Sequence, residues 1–250
     1  MGIGLISIIM AAYNAENTIR QAVESVLIQT YKNFELIVVN DCSEDKTAEI
    51  IRSFSDPRVK LIENEVNSGV SHTRHMGVLA ARGDWIAILD SDDMWTPDKL
   101  EKQVRLQQKT NAELLYTGSA FMKSDGTRVD WVLPVPTVLD YRRLLQQNLL
   151  SNSSSLVKKD LFLQNKTMDD CMHEDFACWL KILKSGRKAY GVNEPLLIYR
   201  LTPTSKSGNK LHAARMNWNT YRAVGLNVFS SFYYMVCYTI NGLKKYRNLR

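Results

Sequence analysis

Three carboxylates follow directly after a short apolar segment in the first half of the chain. The segment Trp85 to Leu89 has the composition of a buried strand, and it runs into Asp90, Ser91, Asp92 and Asp93. Like charges this close together are unfavourable unless water, a proton or a cation neutralises them. Hard carboxylate oxygens suit Mg²⁺ or Mn²⁺ bound to phosphates, so the cluster predicts a metal site. A solvated turn that caps the next helix explains the same residues.

Polar residues also follow the first two apolar segments. After LISIIM come Ala11 and Ala12, which leave the backbone open, and then Tyr13, whose ring could stack on a nucleobase. After FELIVVN comes Asp41, whose carboxylate can accept hydrogen bonds from a base or a ribose. Each of these residues also has an ordinary structural explanation. Tyr13 could be a core residue beside a helix cap at Asn14, and Asp41 could belong to a turn.

Short apolar segments alternate with amphipathic helical patterns through residues 5–90, beginning with a helix predicted from Asn14. Strands that are apolar on both faces and separated by helices are typical of a mostly parallel sheet flanked by helices. Ligands bind at the carboxyl edge of such a sheet. The sequence therefore predicts an α/β fold in which the three polar clusters meet, provided that strands one, two and four are neighbours.

The second half of the chain shows weaker patterns. Gly83 is placed to end a helix, and Asp125 with Gly126 predicts a hairpin turn. The segments SSSLVKK and LLIYRL have the composition of strands. A helix is predicted from Glu174 to Ser185, since apolar residues recur on one of its faces.

Composition and charge exclude several classes of protein. The 250 residues carry a net charge of +6, but the last 70 hold 13 Lys and Arg against Glu194 alone, so the first 180 are acidic. An acidic body repels phosphates, which disfavours a nucleic-acid binder despite the basic tail. The segment AAYNAEN lacks the glycines of a dinucleotide oxidoreductase. Four scattered cysteines predict neither a disulfide framework nor a zinc site.

The C-terminal region combines aromatic and basic residues. The apolar stretch from Leu226 to Ile240 is shorter than the ~20 residues that span a bilayer. It predicts a helix that lies on a membrane surface or packs on the domain or a second subunit, and the sequence leaves these open. We expect an α/β domain over residues 1–208 and a helical extension over 209–250. Without a signal peptide, the expected location is cytoplasmic. If the helix lies on a membrane, the expected contact is peripheral, at the inner face of the cytoplasmic membrane.

Three long motifs together resemble one known family. They are SIIMAAYNAENTIRQAVESVLIQTYKNFELIVVNDCSEDKT, NSGVSHTRHMGVLAARGDWIAILDSDDMW, and HEDFACWLKILKSG followed by LLIYRLTPTSKS. In this order they resemble the family 2 glycosyltransferases of the GT-A fold, in particular small bacterial enzymes that build surface polysaccharides and teichuronic-type polymers. The resemblance implies inverting, metal-dependent transfer of a sugar from a UDP-type donor to a glycan or polyprenyl-linked acceptor. The Q-x-x-R-W signature of processive synthases is absent, which implies one sugar per encounter.

The resemblance assigns the donor site by position. Ala11, Tyr13 and Asp41 would hold the nucleoside, with Asp41 on the base. Arg74 would lie near the base or the phosphates.

The same resemblance assigns roles within the acidic cluster. Asp90 and Ser91 would lie toward the donor ribose and sugar. Asp92 would bind Mg²⁺ or Mn²⁺, and Asp93 would support the cluster.

The remaining assignment concerns the catalytic base. The resemblance places it at Asp175, with Glu174 beside it, although an acidic first helical turn explains both residues without catalysis. The family pattern is broken at Asn40 and His75, neither of which is a proposed catalytic group. A catalytically silent nucleotide-sugar binding protein is the alternative, and it would lack Asp92 or Asp175.

Overall fold

The computed structural model describes residues 2–169, 171–201 and 210–246. Strands and helices alternate through the first half, as the sequence predicts. The elements in chain order are β1 (Ile6–Ala12), α1 (Ile19–Leu27), β2 (Phe34–Asn40), α2 (Thr47–Arg52), β3 (Val59–Glu63), α3 (Val70–Ala80), β4 (Trp85–Ile88), β5 (Met94–Trp95), α4 (Lys99–Thr110), β6 (Leu114–Lys123), β7 (Arg128–Leu133), β8 (Val138–Leu139), α5 (Tyr141–Gln146), β9 (Leu156–Lys158), α6 (Lys159–Asn165), α7 (Glu174–Lys184), β10 (Ala189–Leu201), α8 (Lys210–Ala223) and α9 (Val228–Tyr246).

All described strands belong to one sheet of order β3-β2-β1-β4-β9-β6-β10-β5, with β7 beside β6 and β8 beside β10. The first four strands are mutually parallel, and antiparallel pairs enter from β9 onward. β1 lies between β2 and β4, so the predicted neighbour relation is confirmed. The carboxyl ends of these three strands share one edge of the sheet.

The apolar residues of the parallel strands point alternately to two cores. On β1, Ile8 packs in the layer that contains α1, whereas Ile9 packs in the layer that contains α3 and α7. On β2, Val38 and Val39 divide in the same way. Side chains alternate across a strand, so burial on both faces requires the continuous apolar runs seen in the sequence.

Helix α3 packs unusually close to the sheet because of Gly77. A Cβ added at this position would lie 2.7 Å from Cγ2 of Ile9 and 3.2 Å from Cγ2 of Val39. Heavy atoms that close would force the helix away from β1 and β2. The glycine therefore sets the depth of the helix that carries Arg74.

Two predicted helix boundaries are wrong. The first helix begins at Ile19 and not at Asn14, because Asn14 adopts a left-handed φ of 47° and bonds to the loop after β2. Gly83 does not end α3, whose last residue is Ala80. Gly83 instead lies against the β1 backbone, where an added Cβ would be 2.4 Å from the Leu5 carbonyl oxygen.

The predicted strand SSSLVKK is only partly a strand. Residues Asn152–Ser154 form a 3₁₀ turn, and β9 begins at Leu156. The hydroxyls of Ser154 and Ser155 donate to backbone carbonyls three residues earlier, which stabilises a turn. The predicted hairpin at Asp125 and Gly126 is confirmed, because it joins the antiparallel pair β6 and β7.

The C-terminal helices pack against α7 through aromatic side chains. The ring of Phe176 contacts the rings of Tyr221 on α8 and Tyr238 on α9. Within the described ranges, none of the helices has the length and apolarity needed to cross a bilayer. The predicted boundary at 208 and 209, and the TPTSKS part of the third motif, lie outside the described residues.

Candidate active site

The acidic cluster forms a turn between β4 and β5 at the carboxyl edge of the sheet. Leu89 is still buried, whereas Asp90, Ser91 and Asp92 are half-buried. Burial and the nearby charge of Asp90 raise the pKa of Asp92 to about 6. A carboxylate in this position is stabilised by any positive charge that arrives.

Asp93 is buried, and its side chain binds the acidic turn to strand β10. Its Oδ1 accepts a hydrogen bond of 2.9 Å from the backbone N–H of Arg200 on β10. The Arg200 side chain donates from Nε to the Asp92 carbonyl and from Nη2 to Oε1 of Gln21. Burial, then the charges of Asp92 and Asp90, raise the pKa of Asp93 well above its ordinary value.

The buried turn at residues 152–155 supports the acidic cluster from below, and the sequence patterns missed this role. The Ser153 hydroxyl accepts from the backbone N–H of Asp90 at 3.2 Å, and the Ser153 carbonyl accepts from Nε1 of Trp95 at 2.7 Å. Asn152 faces the Arg74 guanidinium and, with its amide oxygen turned toward it, accepts from Nε at 3.2 Å.

Arg74 connects the acidic turn with the start of α7. Its Nη2 is 2.5 Å from Oδ1 of Asp90, and its Nη1 is 2.6 Å from Oε1 of Glu174. Burial lowers the pKa of Arg74, but the two carboxylates more than offset this and raise it above the ordinary value. The guanidinium is therefore a permanent cation between two acidic groups.

Asp175 stands beside this pair at the first turn of α7. Its Oδ1 accepts from the backbone N–H of Phe176 at 2.7 Å. Burial and the charge of Glu174 raise the pKa of Asp175 to about 7, although Arg74 acts in the opposite direction. A carboxylate with a pKa near neutrality is suited to general-base work.

Asp41 follows β2 and organises the loop before α3. Its Oδ1 accepts from Nδ2 of Asn64 and from the Ser68 backbone N–H, and its Oδ2 accepts from the Gly69 backbone N–H. These bonds more than offset burial and lower the pKa of Asp41. The carboxylate thus fixes the start of the helix that presents Arg74.

Ala11 and Tyr13 lie at the end of β1, next to Asp41. The backbone N–H of Asp41 donates to the Ala12 carbonyl, so the two strand ends are adjacent. The Tyr13 side chain is 49% exposed and is not a core residue. The exposed ring leaves a face available for a planar ligand.

A small cavity opens beside the carboxylates of α7. It is lined by residues of α3, of α6 and the loop after it, and of α7, together with Asn152. Arg74, Glu174 and Asp175 all belong to its wall. The predicted base and Arg74 therefore line the same small cavity, whose volume of about 20 Å³ holds a group the size of a water or a hydroxyl.

The acidic turn fits a divalent cation that shares its coordination with a ligand. Among the residues that the structure describes, no three His, Cys, Asp or Glu side chains are grouped to hold a metal on their own. Oδ2 of Asp93 is buried, and it has no hydrogen bond of ordinary geometry to any described residue. Asp92 is partly exposed to solvent. Mg²⁺ and Mn²⁺ sites of this type use one or two carboxylates and take further oxygens from phosphates.

Known proteins match this chain in both sequence and fold. The family model described as glycosyl transferase family 2 matches residues 7–171. The putative teichuronic acid biosynthesis glycosyltransferase TuaG of Bacillus subtilis (strain 168) is 35% identical over 244 residues, which cover 96% of this chain and 97% of TuaG. WfgD of Escherichia coli, named as a UDP-Glc:alpha-D-GlcNAc-diphosphoundecaprenol beta-1,3-glucosyltransferase, is also 35% identical over 244 residues, with coverage of 97% and 95%.

A solved structure confirms the fold. The mannosyltransferase PcManGT from Pyrobaculum calidifontis, in complex with GDP-Man and Mn²⁺, superposes with a TM-score of 0.70 at 16% identity, covering 92% of this chain and 69% of PcManGT. The predicted GT-A fold and the resemblance to surface-polysaccharide enzymes are thus confirmed. The chain is a glycosyltransferase and belongs to glycosyl transferase family 2.

Proposed function

We propose that this enzyme transfers a sugar from a UDP-sugar to a lipid-linked glycan acceptor, with inversion and one sugar per encounter. The observation that carries the proposal is the Arg74 guanidinium, which joins Asp90 in the acidic turn to Glu174, the neighbour of Asp175 on α7. A donor site and a base are thereby held within one cluster. The names of WfgD and TuaG, which the chain matches along nearly its whole length, support a UDP-linked donor and a cell-envelope glycan.

The donor half of the site contains Ala11, Tyr13 and Asp41 for the nucleoside, and Asp90 and Ser91 toward the ribose and sugar. Stacking on the Tyr13 ring gives affinity without choosing the base. Asp41 and the backbone around Ala11 would select uracil, since a carboxylate accepts a hydrogen bond from an imide N–H.

Asp92 would hold Mg²⁺ or Mn²⁺, with Asp93 supporting it. A divalent cation bound there supplies charge stabilisation to the departing diphosphate oxygens. Asp92, which burial and Asp90 leave with a raised pKa, supplies the binding carboxylate. PcManGT with GDP-Man and Mn²⁺ supports the choice of a divalent metal.

Asp175 would act as general base. Its carboxylate takes the proton of an acceptor hydroxyl while that oxygen forms a bond to the anomeric carbon of the donor sugar. The bond from this carbon to the diphosphate oxygen breaks at the same time, and the nucleoside diphosphate leaves with the electron pair. A single displacement of this kind inverts the anomeric centre. Glu174 holds Arg74 and keeps a negative charge beside the base.

The donor assignment is tested by calorimetric titration of UDP and of GDP, with and without Mn²⁺, into wild type and Asp92→Ala. We expect UDP binding that requires Mn²⁺ and weakens in Asp92→Ala. The matched control is Asp84→Ala, an exposed aspartate before β4 at the opposite edge of the sheet. Metal-independent binding, or equal losses in both variants, contradicts the metal assignment.

We also propose that residues 209–250 attach the enzyme to the inner face of the cytoplasmic membrane through α9. Its inner face, with Ser231, Tyr234 and Tyr238, packs on the domain, whereas its outer face carries an exposed apolar stripe. That stripe comprises Val228, Phe229, Phe232, Tyr233, Val236, Ile240 and Leu243. Such a stripe beside basic residues is typical of helices that lie on anionic lipid.

Flotation with anionic liposomes tests this attachment. The variant Phe229→Ser/Phe232→Ser/Leu243→Ser keeps the packed face of α9 and should lose flotation. Its apparent mass is compared with wild type by sedimentation. A change from dimer to monomer without any change in flotation would assign the stripe to a second subunit instead.

A further inference from the structure

The cavity beside Asp175 has a basic end that the proposed chemistry does not use. Its wall includes the carboxylate of Asp175 and, on other elements, His75, Lys166 and Thr167. His75 follows Arg74 on α3, and Lys166 comes directly after α6. One space thus connects the base to a pair of nitrogen donors.

Lys166 and His75 are in direct contact. Nζ of Lys166 lies 2.5 Å from Nδ1 of His75. An ammonium group has no lone pair, so Nδ1 accepts and the ring proton lies on Nε2. The pair therefore offers further N–H donors, from the ammonium and from Nε2, and carries one positive charge.

Within the described ranges, Lys166 forms no ion pair with a carboxylate. The ion pairs of that part of the chain include neither Lys166 nor Lys181. Nζ of Lys181 donates instead to the Thr167 hydroxyl at 2.8 Å. The nearby Asp169 carboxylate accepts from the Cys171 backbone N–H. Burial lowers the pKa of Lys166, and burial followed by the Lys166 charge lowers that of His75. Nζ of Lys166 also lies 3.3 Å from Sδ of Met168, which is uncharged. A half-buried cation without a counter-ion in that part of the chain gains most from an anionic ligand.

We propose that Lys166, with His75, binds a phosphate group attached to the acceptor sugar. This rests on the proposed function, which places an acceptor hydroxyl at Asp175. An acceptor sugar whose hydroxyl meets this carboxylate lies against the same cavity wall as the basic pair, so its anomeric substituent can point toward Lys166. The donor diphosphate is assigned to the acidic turn, on the other side of Arg74. The ligand class is therefore a sugar carrying an anomeric phosphate or diphosphate ester.

Two synthetic acceptors test the site with the full-length enzyme. Both carry the same α-GlcNAc and the same undecyl chain, and they differ in having a diphosphate or a neutral ether between them. KM for each acceptor is measured at saturating UDP-sugar in wild type, Lys166→Met and Lys166→Arg. The control is Lys109→Met, an exposed lysine at the end of α4.

We expect Lys166→Met to raise KM for the diphosphate acceptor about tenfold, the usual effect of losing one charged hydrogen bond. KM for the neutral acceptor and for the donor should not change, and Lys166→Arg should retain most of the preference. Equal effects on both acceptors would overturn the proposal. A rise in donor KM alone would also overturn it, because Lys166 would then serve the donor phosphates.

A separate measurement distinguishes failure of this site from failure of the proposed function. If wild type glycosylates neither acceptor, their binding is measured by calorimetry in UDP-saturated enzyme. A preference for the diphosphate compound that Lys166→Met removes supports the phosphate site even though the proposed reaction is wrong. Equal binding of the two compounds by wild type rejects it.

Discussion

Arg74 and Glu174 are 100 positions apart in sequence, yet Nη1 of the arginine and Oε1 of the glutamate are 2.6 Å apart. The same guanidinium contacts Asp90 on its other side. One side chain therefore fixes the distance between the acidic turn after β4 and the predicted base on α7. The geometry of the candidate site therefore depends on a contact between segments that are distant in sequence.

Replacing Arg74 with Met should destabilise the protein and inactivate it. Asp90 and Glu174 would lose their shared cation, and breaking a largely buried pair costs about 3 kcal/mol. Urea unfolding measures the loss. Arg52→Met, which removes an exposed pair with Glu63, should unfold like wild type. Adding Glu174→Gln to Arg74→Met should restore part of the lost stability, and no restoration would argue against a charge effect.

The rate of transfer should rise with pH through about 7. The raised pKa of Asp175 is about 7, and a general base works only when it is ionised, so protonation below this pH removes activity. The acceptor kcat/KM is measured from pH 5 to 9 at saturating donor and metal.

The Asp175→Asn variant supplies the control for this profile. Its kcat should fall by about 100-fold or more, while UDP affinity stays unchanged. Retention of more than about a tenth of the wild-type kcat would exclude Asp175 as the base.

Tyr13→Ala should weaken UDP binding about tenfold, because base stacking on an aromatic ring contributes about 1–3 kcal/mol. Tyr13→Phe keeps the ring and should bind like wild type. Tyr233→Ala, which removes an exposed tyrosine from α9, is the matched control. Equal affinity of Tyr13→Ala and wild type would mean that the nucleoside lies elsewhere.

Acid should destabilise the fold through Glu35 on β2. Burial raises its pKa, but hydrogen bonds from Lys60, Ser7 and Arg82 prevail and lower it to about 2. Its contribution is therefore complete above the unfolded pKa near 4.5 and disappears as pH falls toward 2. The difference between these pKa values corresponds to at most about 3 kcal/mol.

Urea midpoints measured between pH 7 and pH 2.5 test this contribution. Glu35→Gln should remove part of the pH dependence, whereas Glu65→Gln, an exposed position, should leave it intact. Glu35 aligns with Ser7 at the edge of the sheet opposite the acidic turn. At pH 7 the folded Glu35→Gln protein should therefore keep its UDP affinity.

The parts of the fold that depend on local patterns could be predicted. β1, β2 and β4 are buried on both faces, and such strands appear in a sequence as continuous apolar runs followed by polar turns. That pattern was sufficient to place Tyr13, Asp41 and the acidic turn at one edge of the sheet. The prediction that Gly83 ends a helix was wrong, because a glycine after a helix is usual for a C-cap. Here the glycine permits close approach to the backbone of Leu5.

The supporting contacts could not be predicted, because they join segments that are distant in sequence. The backbone N–H of Arg200 reaches Asp93 over 107 positions, and Ser153 reaches Asp90 over 63. The serine run resembled a strand, but its hydroxyls bond to their own backbone and produce a turn. A buried polar run between apolar segments was the one available signal, since such residues need hydrogen-bond partners.

The position of β10 also determines when the enzyme becomes complete during its synthesis. β10 lies between β6 and β5, and it carries the residue that binds Asp93. A nascent chain that stops before β10 leaves one side of β6 open and leaves β5 without its sheet neighbour, and open strand edges favour aggregation. Such a chain has already made the acidic turn but lacks the N–H that holds it. A chain that ends before β10 should therefore leave the proposed donor site without this support.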